Sequence, residues 1–344
     1  MPWQAFALAM RGYVLRFQGR YADAISRSQE ALALVSEDGA EERLAMALAH
    51  RNAGICYFRL GQTAEGRETF QKALRLYEAM NAPYDVGMVH HDLGFGYEMM
   101  GDLENAVGNY KAALERWQEL KNPGPWANTL NSLGVIYYLQ GRYAEAAQML
   151  DEALAKSRTA GDQRVEAFVW ASLGDLYRDQ GTYERARQSY VQALEIAERS
   201  RAGFIQTYAL NGLGSVSCLQ DDLAQSRRCL EAAMELARTH RSGYEAGLCH
   251  TSLGILAARH GDLVPAWKHL DQAVECFEPG GFQRELAVAY LHRGQIAFLA
   301  GDREDALADL QQALAVAQDL AFDQYLVVEG QQMPGLLRYA QEQG

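Results

Sequence analysis

Proline is scarce in this 344-residue chain, which has seven, and no run of 18 apolar residues occurs anywhere in it. Few prolines leave long helices uninterrupted, and the missing apolar run argues against a transmembrane helix. The first residues also lack the basic, apolar and cleavage-site regions of a secretory signal. We therefore predict a helical, cytoplasmic protein with no membrane partner.

Paired cysteines and excess positive charge are absent as well. The five cysteines form no CxxC pair, and they lie in helical patterns where a free cysteine is usually a small buried apolar residue, as in a reducing compartment. Asp and Glu outnumber Lys and Arg by 44 to 32, a net charge of −12. An acidic chain repels nucleic-acid phosphates, so we expect no direct nucleic-acid binding by this segment.

Signatures of catalysis are also missing. No GxxxxGK[ST] phosphate loop and no nucleophile arrangement occurs. His50, His90 and His250 each lie four residues before a repeated glycine, but other copies of the repeat have apolar side chains at that position, namely Leu130, Trp170, Leu210 and Tyr290. The position is therefore a packing site. We predict that the chain is not an enzyme and has no metal site and no cofactor.

A glycine recurs at one phase through the chain. The first step is 42 residues and the next six are 40, and the glycines are Gly12, Gly54, Gly94, Gly134, Gly174, Gly214, Gly254 and Gly294. We call these the anchor glycines and number positions from them. Seven residues after each anchor comes a turn residue, usually glycine, and small residues follow at +12 and +19. Eight copies in phase indicate a repeat protein.

Each copy has the pattern of a helical hairpin. Leu130, Leu133, Ile136 and Tyr137 recur at helical spacing before the turn, and apolar residues follow it in the same way. The anchor glycine and the small residues remove bulk where two helices approach closely. One hairpin cannot bury its apolar face alone, so we expect stacked neighbours to complete the core.

Leu133–Gly134–x–x–Tyr137, followed by Gly141, Ala146 and Ala153, resembles a tetratricopeptide repeat (TPR). The usual TPR has 34 residues. The 40-residue form resembles the TPR sensor domain of MalT-like, STAND-class bacterial transcription regulators, and also the adaptor repeats of Pins/LGN proteins. The resemblance implies an all-α, right-handed TPR superhelix (α-solenoid) of eight helical hairpins plus a C-terminal capping helix.

We predict one TPR solenoid domain over residues 1–344, cut from a longer protein. Its repeats are expected at about 1–40, 41–82, 83–122, 123–162, 163–202, 203–242, 243–282 and 283–321, with a cap over 322–344. Pro334 and Gly335 fall where a ninth anchor would lie, so we expect one or two closing helices between Asp323 and Ala340.

In TPR arrays the first helix of each hairpin, helix A, lines the concave face. By this register, groove positions lie at −6, −3, −2, +1, +4 and +5. All five lysines fall outside helix A, whereas asparagine and aromatic residues are frequent at groove positions, as a binding surface requires. The predicted ligand-binding residues are Arg51, Asn52, Phe58, His91, Phe95, Asn128, Asn131, Tyr138, Phe168, Asp175, Arg178, Tyr208 and Asn211.

Three functions are open at this point. The favoured one is a sensor or effector-binding module of a multidomain STAND-type transcription regulator, whose groove holds a protein, a peptide or a small-molecule inducer. The alternative is a free-standing adaptor that binds peptides, like Pins/LGN. The third is oligomerisation through the solenoid ends. A chaperone-tail receptor is disfavoured, because Arg51 and Asn131, the nearest matches to a carboxylate clamp, lie two copies apart and lysine is absent.

Overall fold

The structure is a computed structural model, and it describes residues 2–37, 39–319 and 324–343. Over these residues the chain forms eighteen α-helices and one short 3₁₀ turn, without a β-strand. They form two compact units, Met1–Ser132 and Leu133–Gly344, which we call the N-terminal and C-terminal units. The boundary falls inside helix α7 (Pro123–Leu139). The prediction of an all-α array of TPR hairpins is confirmed, and that of a single domain stays a prediction.

The N-terminal unit contains three complete hairpins and the beginning of a fourth. The first helix A contacts its own helix B and the second helix A, and the second helix A contacts its own helix B and the third helix A. The helices are α1 (Pro2–Phe17), α2 (Tyr21–Leu32), α3 (Ala40–Arg59), α4 (Thr63–Ala79), α5 (Pro83–Met99), α6 (Leu103–Leu120) and the first part of α7 (Pro123–Leu139).

The C-terminal unit continues with the same hairpins and ends in two closing helices. Contacts between successive A helices run from α9 through α11, α13 and α15 to α17. The helices are α8 (Tyr143–Ala160), α9 (Gln163–Asp179), α10 (Tyr183–Ser200), α11 (Gly203–Leu219), α12 (Leu223–His240), α13 (Gly243–Arg259), α14 (Leu263–Phe277), α15 (Gln283–Ala300), α16 (Arg303–Asp319), α17 (Gln324–Gly330) and α18 (Pro334–Gln343), with the 3₁₀ turn at Glu278–Gly280.

The anchor glycines have the packing role that the sequence predicts. A Cβ on Gly94 would lie 2.7 Å from the ring of Tyr110, and one on Gly174 would lie 2.6 Å from the ring of Tyr190. These rings come from helix B of the same hairpin, so the missing side chain lets the two helices meet. The turn residue also behaves as expected, since it has a positive φ of 71° at Gly141.

The closing segment agrees with the expectation of one or two helices. It has two helices, and α17 lies where helix A of a ninth hairpin would begin, in contact with α15. Met333 and Leu336 are buried in the apolar cluster that closes the eighth hairpin. The predicted first residues of the cap, 322 and 323, and the last residue, 344, lie outside the described residues.

Candidate functional site

The polar residues of α9 meet side chains from neighbouring helices around Asp175. This carboxylate accepts a hydrogen bond of 2.7 Å from the hydroxyl of Tyr190 on α10 and another of 2.7 Å from the hydroxyl of Tyr208 on α11. The guanidinium of Arg178, one turn further along α9, lies 3.3 Å from the same carboxylate. Asp175 therefore joins three helices through charge-assisted contacts.

Asp179 extends this network in the other direction along the unit. It pairs with Arg178 at 2.8 Å and accepts a hydrogen bond of 2.5 Å from the hydroxyl of Tyr138 at the end of α7. The side chain of Arg178 keeps 25% of its surface exposed, against 15% for Asp175 and 11% for Asp179. The cation is thus held between two carboxylates while part of it stays open to solvent.

The surroundings fix the protonation states of these groups. Burial alone would lower the pKa of Arg178, but the charges of Asp179 and Asp175 outweigh it and hold that pKa well above its usual value. Burial raises the pKa of Asp175, and the charge of Arg178 only partly offsets this. Burial and Asp179 raise the pKa of Tyr138 well above its usual value. The tyrosines are therefore neutral donors and Arg178 is charged at neutral pH.

A row of aromatic rings lies beside the polar network. Phe204, near the start of α11, is 37% exposed, and its ring centroid lies 5.9 Å from Phe168, 6.1 Å from Tyr208 and 6.1 Å from Tyr244. The row continues to Phe282, which lies 4.6 Å from Tyr244. We call this surface the helix-A face of the C-terminal unit. It is formed by Phe168, Asp175, Arg178, Phe204, Tyr208, Asn211 and Tyr244.

An ion pair lies at the far end of the aromatic row. The guanidinium of Arg284 contacts the carboxylate of Glu285 at 2.5 Å, and the hydroxyl of Tyr244 donates to the same carboxylate at 3.2 Å. The charge of Glu285 raises the pKa of Arg284 well above its usual value even though burial opposes this. Both ends of the row thus have a charged group held in place by a tyrosine hydroxyl.

Asn211 keeps unused hydrogen-bonding capacity on this face. The Oδ1 atom of its side chain is buried, and no described residue donates to it. A buried amide oxygen without a donor is uncommon in folded proteins. Its helix also offers Ser215, whose hydroxyl lies 3.4 Å from that of Ser252 on α13.

The N-terminal unit has a different arrangement on its A helices. Nδ1 of His91 lies 3.0 Å from the hydroxyl of Thr129, and Nδ2 of Asn128 lies 3.1 Å from Nε2 of the same ring. The indole N–H of Trp117 also donates to Thr129 at 3.0 Å. Burial lowers the pKa of His91 despite the nearby carboxylate of Asp92, so the ring is neutral at pH 7. Both of its nitrogens are already used within the unit.

Arg51 is paired in the same unit. Its guanidinium contacts Asp92 at 2.5 Å, with 14% of each side chain exposed. Phe95 lies under the guanidinium of Arg59, whose carbon is 4.9 Å from the ring centre. These contacts connect successive A helices and explain the polar residues without a ligand.

Two predicted groove residues are buried, and the prediction that they line an open surface is wrong. Asn52 is 1% exposed, and its amide donates to the backbone carbonyl of Ala9 at 2.9 Å. Phe58 is 2% exposed and packs against Phe70 and Tyr97. In the second hairpin, positions −2 and +4 face neighbouring hairpins. The six predicted groove positions therefore include some that lie in the core.

The remaining predicted residues stay partly accessible. In the N-terminal unit these include Asn131, whose Oδ1 is buried without a described donor. The register missed Phe204 and Tyr244, because position −10 was not among its rows. An aromatic residue at −10 in two successive copies was the signal that could have found them.

A second cleft lies away from this face. Its volume is about 670 Å³, and it lies between α8, α9 and α10 with an apolar floor that includes Leu154, Trp170 and Leu173. Arg185 on its rim lies over the ring of Tyr177 at 3.9 Å and donates to that hydroxyl at 2.6 Å. The side chains of Arg185 and Tyr177 on the rim of this cleft are therefore already partly engaged with each other.

The described parts of the chain contain no group of three or more His, Cys, Asp or Glu side chains that could hold a metal ion. No helix among those residues combines the length and the apolar character needed to cross a bilayer.

Comparison with sequence families supports the resemblance noted above. The family described as the MalT-like TPR region matches residues 87–297, and a tetratricopeptide repeat family matches residues 4–79. A search of curated proteins finds no significant match.

Several solved structures share the fold. A Rap protein complexed with Competence and Sporulation Factor has a TM-score of 0.61 at 14% identity, with all of both chains covered. The Rap conjugation gene regulator of the plasmid pLS20, in complex with the Phr* peptide, has a TM-score of 0.62 at 13% identity, covering 93% of this chain and 96% of that chain. A STAND protein with a TPR sensor from Pyrococcus horikoshii has a TM-score of 0.52 at 17% identity, covering 91% of this chain and 46% of that one.

Proposed function

The chain belongs to the family of MalT-like TPR regions, and we propose that the helix-A face of its C-terminal unit binds a peptide segment. In this proposal the domain is the non-catalytic sensor of a larger STAND-type transcription regulator. Ligand binding to the face would bias a separate switch in the regulator, because the ligand would bind two conformational states of the protein with different affinities.

The observation that carries the proposal is the half-exposed aromatic row next to a fixed polar network. Phe204 leaves 37% of its surface accessible while rings of Phe168, Tyr208 and Tyr244 surround it. Exposed aromatic side chains with a few oriented polar groups are typical of binding surfaces. Because Asp175 and Arg178 are already held by three helices, little ordering is needed when a ligand binds.

The spacing of the rings favours an extended peptide. Alternate side chains of an extended chain are about 6.6–6.8 Å apart. The centroids of Phe168, Phe204 and Tyr244 follow one another at 5.9 and 6.1 Å. Apolar side chains at every second ligand residue would therefore meet successive rings.

The structural relatives are consistent with this choice. Two Rap proteins of the same fold were solved in complex with Competence and Sporulation Factor and with the Phr* peptide, and a STAND protein of the same fold has a TPR sensor. The free-standing adaptor remains the alternative function, and it uses the same face. The length of the natural polypeptide separates the two, since a regulator requires further domains and an adaptor does not.

A random dodecapeptide library displayed on phage tests the proposal. The library is panned on the immobilised full chain, and backbone hydrogen exchange is then measured with and without an enriched peptide. We expect protection of the first turns of α11 and α13 and of the C-terminal half of α9. No enrichment, or protection confined to residues 185–192 at the second cleft, would overturn the proposal.

A further inference from the structure

Helix A and helix B of one hairpin meet at positions −4 and +15. In the third hairpin these positions are His90 and Asn109, and Nδ1 of the ring lies 3.1 Å from Oδ1 of the amide. In the fifth hairpin they are Trp170 and Ser189, which both line the second cleft. The two positions therefore bring together side chains of the two helices, on the side of the hairpin away from the helix-A face.

The seventh hairpin has histidine at both positions, and no other copy of the repeat does. Nδ1 of His250 on α13 lies 3.0 Å from Nδ1 of His269 on α14, and the ring centroids are 5.3 Å apart. Two neutral imidazoles can place only one proton between these nitrogens, so at least one nitrogen presents a lone pair to the other. Without that proton, both lone pairs are available to one metal ion.

The separation of the two nitrogens fits a shared ion. Zinc–nitrogen bonds are about 2.0–2.1 Å long, so two such ligands at a tetrahedral angle lie about 3.3 Å apart. The observed 3.0 Å is shorter by only about 0.3 Å, which small rotations of the two side chains supply. Imidazole nitrogen is a good ligand for zinc, copper and nickel.

The backbone that carries the two rings is held by packing. Cys249 and Leu270, the sequence neighbours of the two histidines, have 0% exposure. Gly254, the anchor of this hairpin, lies so close to α14 that a Cβ there would be 2.7 Å from Cγ of Leu270. Ligands on two packed helices keep their separation better than ligands on loops. The pair is therefore positioned before an ion arrives.

Access and charge set the expected strength of binding. Both histidines are partly exposed, so an ion and its remaining water ligands can reach the nitrogens. Burial lowers the pKa of both rings, which are thus neutral at pH 7. Arg238 acts on His250 and Lys268 acts on His269, and both charges oppose a bound cation. Glu235, whose carboxylate lies 3.9 Å from Arg238, offsets part of this. We therefore expect reversible binding.

We propose that His250 and His269 together bind one divalent transition metal ion of the zinc class through their Nδ1 atoms, with water completing the coordination. Two side-chain ligands leave positions open, unlike the four protein ligands of a closed structural zinc site. The pair is a smaller ligand set than the groups of three or more that are absent from the described residues. The site uses no residue of the helix-A face, so it does not depend on peptide binding there.

Isothermal titration calorimetry with zinc chloride, on the full chain after treatment with a chelator, tests the proposal. We expect one zinc ion per chain to bind at the pair. His269→Asn should weaken this binding about tenfold or more, because one of the two ligands is lost. The variant should keep its fold, since it recreates the contact between His90 and Asn109 in the third hairpin.

His250→Leu removes the other ligand and should weaken zinc binding to the same extent. His90→Leu is the matched control, because it replaces a single histidine at position −4 and should leave zinc binding unchanged. Circular dichroism checks that each variant is folded. In nitrogen-15 NMR of histidine-labelled protein, zinc should shift the Nδ1 signals of both His250 and His269. No zinc binding by the wild type, equal binding by the wild type and both pair variants, or a shift of only one of the two signals would overturn the proposal.

Discussion

The two units differ at position −10 of helix A. In the N-terminal unit this position is occupied by Tyr84, and the neighbouring copies have Leu44 and Gly124 there. In the C-terminal unit two successive copies have an aromatic residue at this position, namely Phe204 and Tyr244. Both side chains are exposed, Tyr84 by 45% and Phe204 by 37%. The ring of Tyr84 packs on Trp117 of its own hairpin, and the ring of Phe204 continues a row across three hairpins. The two side chains are therefore similarly exposed, but only Phe204 belongs to a continuous row of rings across neighbouring hairpins.

The polar groups differ in the same sense. In the N-terminal unit Thr129 and Asn128 each form a hydrogen bond with His91, so the ring of His91 has both nitrogens engaged. In the C-terminal unit the network around Arg178 leaves a quarter of that side chain exposed. The two units thus share one repeat but use their A helices differently. In the N-terminal unit the polar side chains of these helices join hairpins, and in the C-terminal unit they also form a partly exposed surface.

The largest effect concerns what the two units share. Gly94→Leu and Gly174→Leu should each destabilise the fold by about 3 kcal/mol or more, because each new side chain overlaps the ring of Tyr110 or Tyr190. Chemical denaturation measures both. Gly108→Ala is the control, since a Cβ there meets nothing within 4 Å. It should stabilise the protein by about 0.5–1 kcal/mol. Unchanged unfolding of either leucine variant would refute the packing role of the anchor glycine.

The next effect is specific to the C-terminal unit. Asp175→Ala should lower the unfolding free energy by about 3 kcal/mol, because it leaves the hydroxyls of Tyr190 and Tyr208 without their acceptor and removes a partner of Arg178. Asp175→Asn should cost less, since its amide oxygen still accepts one bond. Denaturant titration compares the two variants, and equal, negligible losses would show that the network has no structural role.

Acid sensitivity should be present in both units. Burial lowers the pKa of His50 and of His250 to about 4, from an ordinary 6.5. Lys72 and Arg75 add to this at His50, and His269 and Arg238 add to it at His250. The stability that depends on these neutral rings is present above pH 6.5 and is lost as the pH falls toward 4.

Leucine occupies the equivalent position at residues 130 and 210, which provides matched replacements. His50→Leu and His250→Leu should each reduce the loss of thermal stability between pH 6.5 and 4, by about 1–2 kcal/mol at the acid end. Melting temperatures over that pH range measure the effect. Variants whose pH profiles stay parallel to the wild type would contradict the burial of neutral histidine.

The fold was predictable because the same pattern of glycine and small residues recurs in eight copies. Glycine at the anchor and small residues at +12 and +19 leave one way to close a hairpin, and Ala106, Ala146 and Ala186 are all fully buried. The site was less predictable. A generic register assigns Phe58 to the groove, yet in this chain Gly66 and Gly96 make room for its ring inside the core. Pairing between hairpins, as at Tyr208 and Asp175, involves residues 33 positions apart and leaves no local pattern in the sequence.

The measurement that tests the central claim is the affinity of one library-selected peptide for Phe204→Ala and Tyr84→Ala, side by side with the wild type, by fluorescence anisotropy. Both positions lie at −10 and both side chains are exposed, so neither variant should unfold the chain. We predict that Phe204→Ala weakens binding about tenfold, equivalent to about 1.4 kcal/mol, and that Tyr84→Ala changes it less than about twofold. Equal losses in the two variants, or a loss confined to Tyr84→Ala, would contradict the assignment of binding to the C-terminal unit.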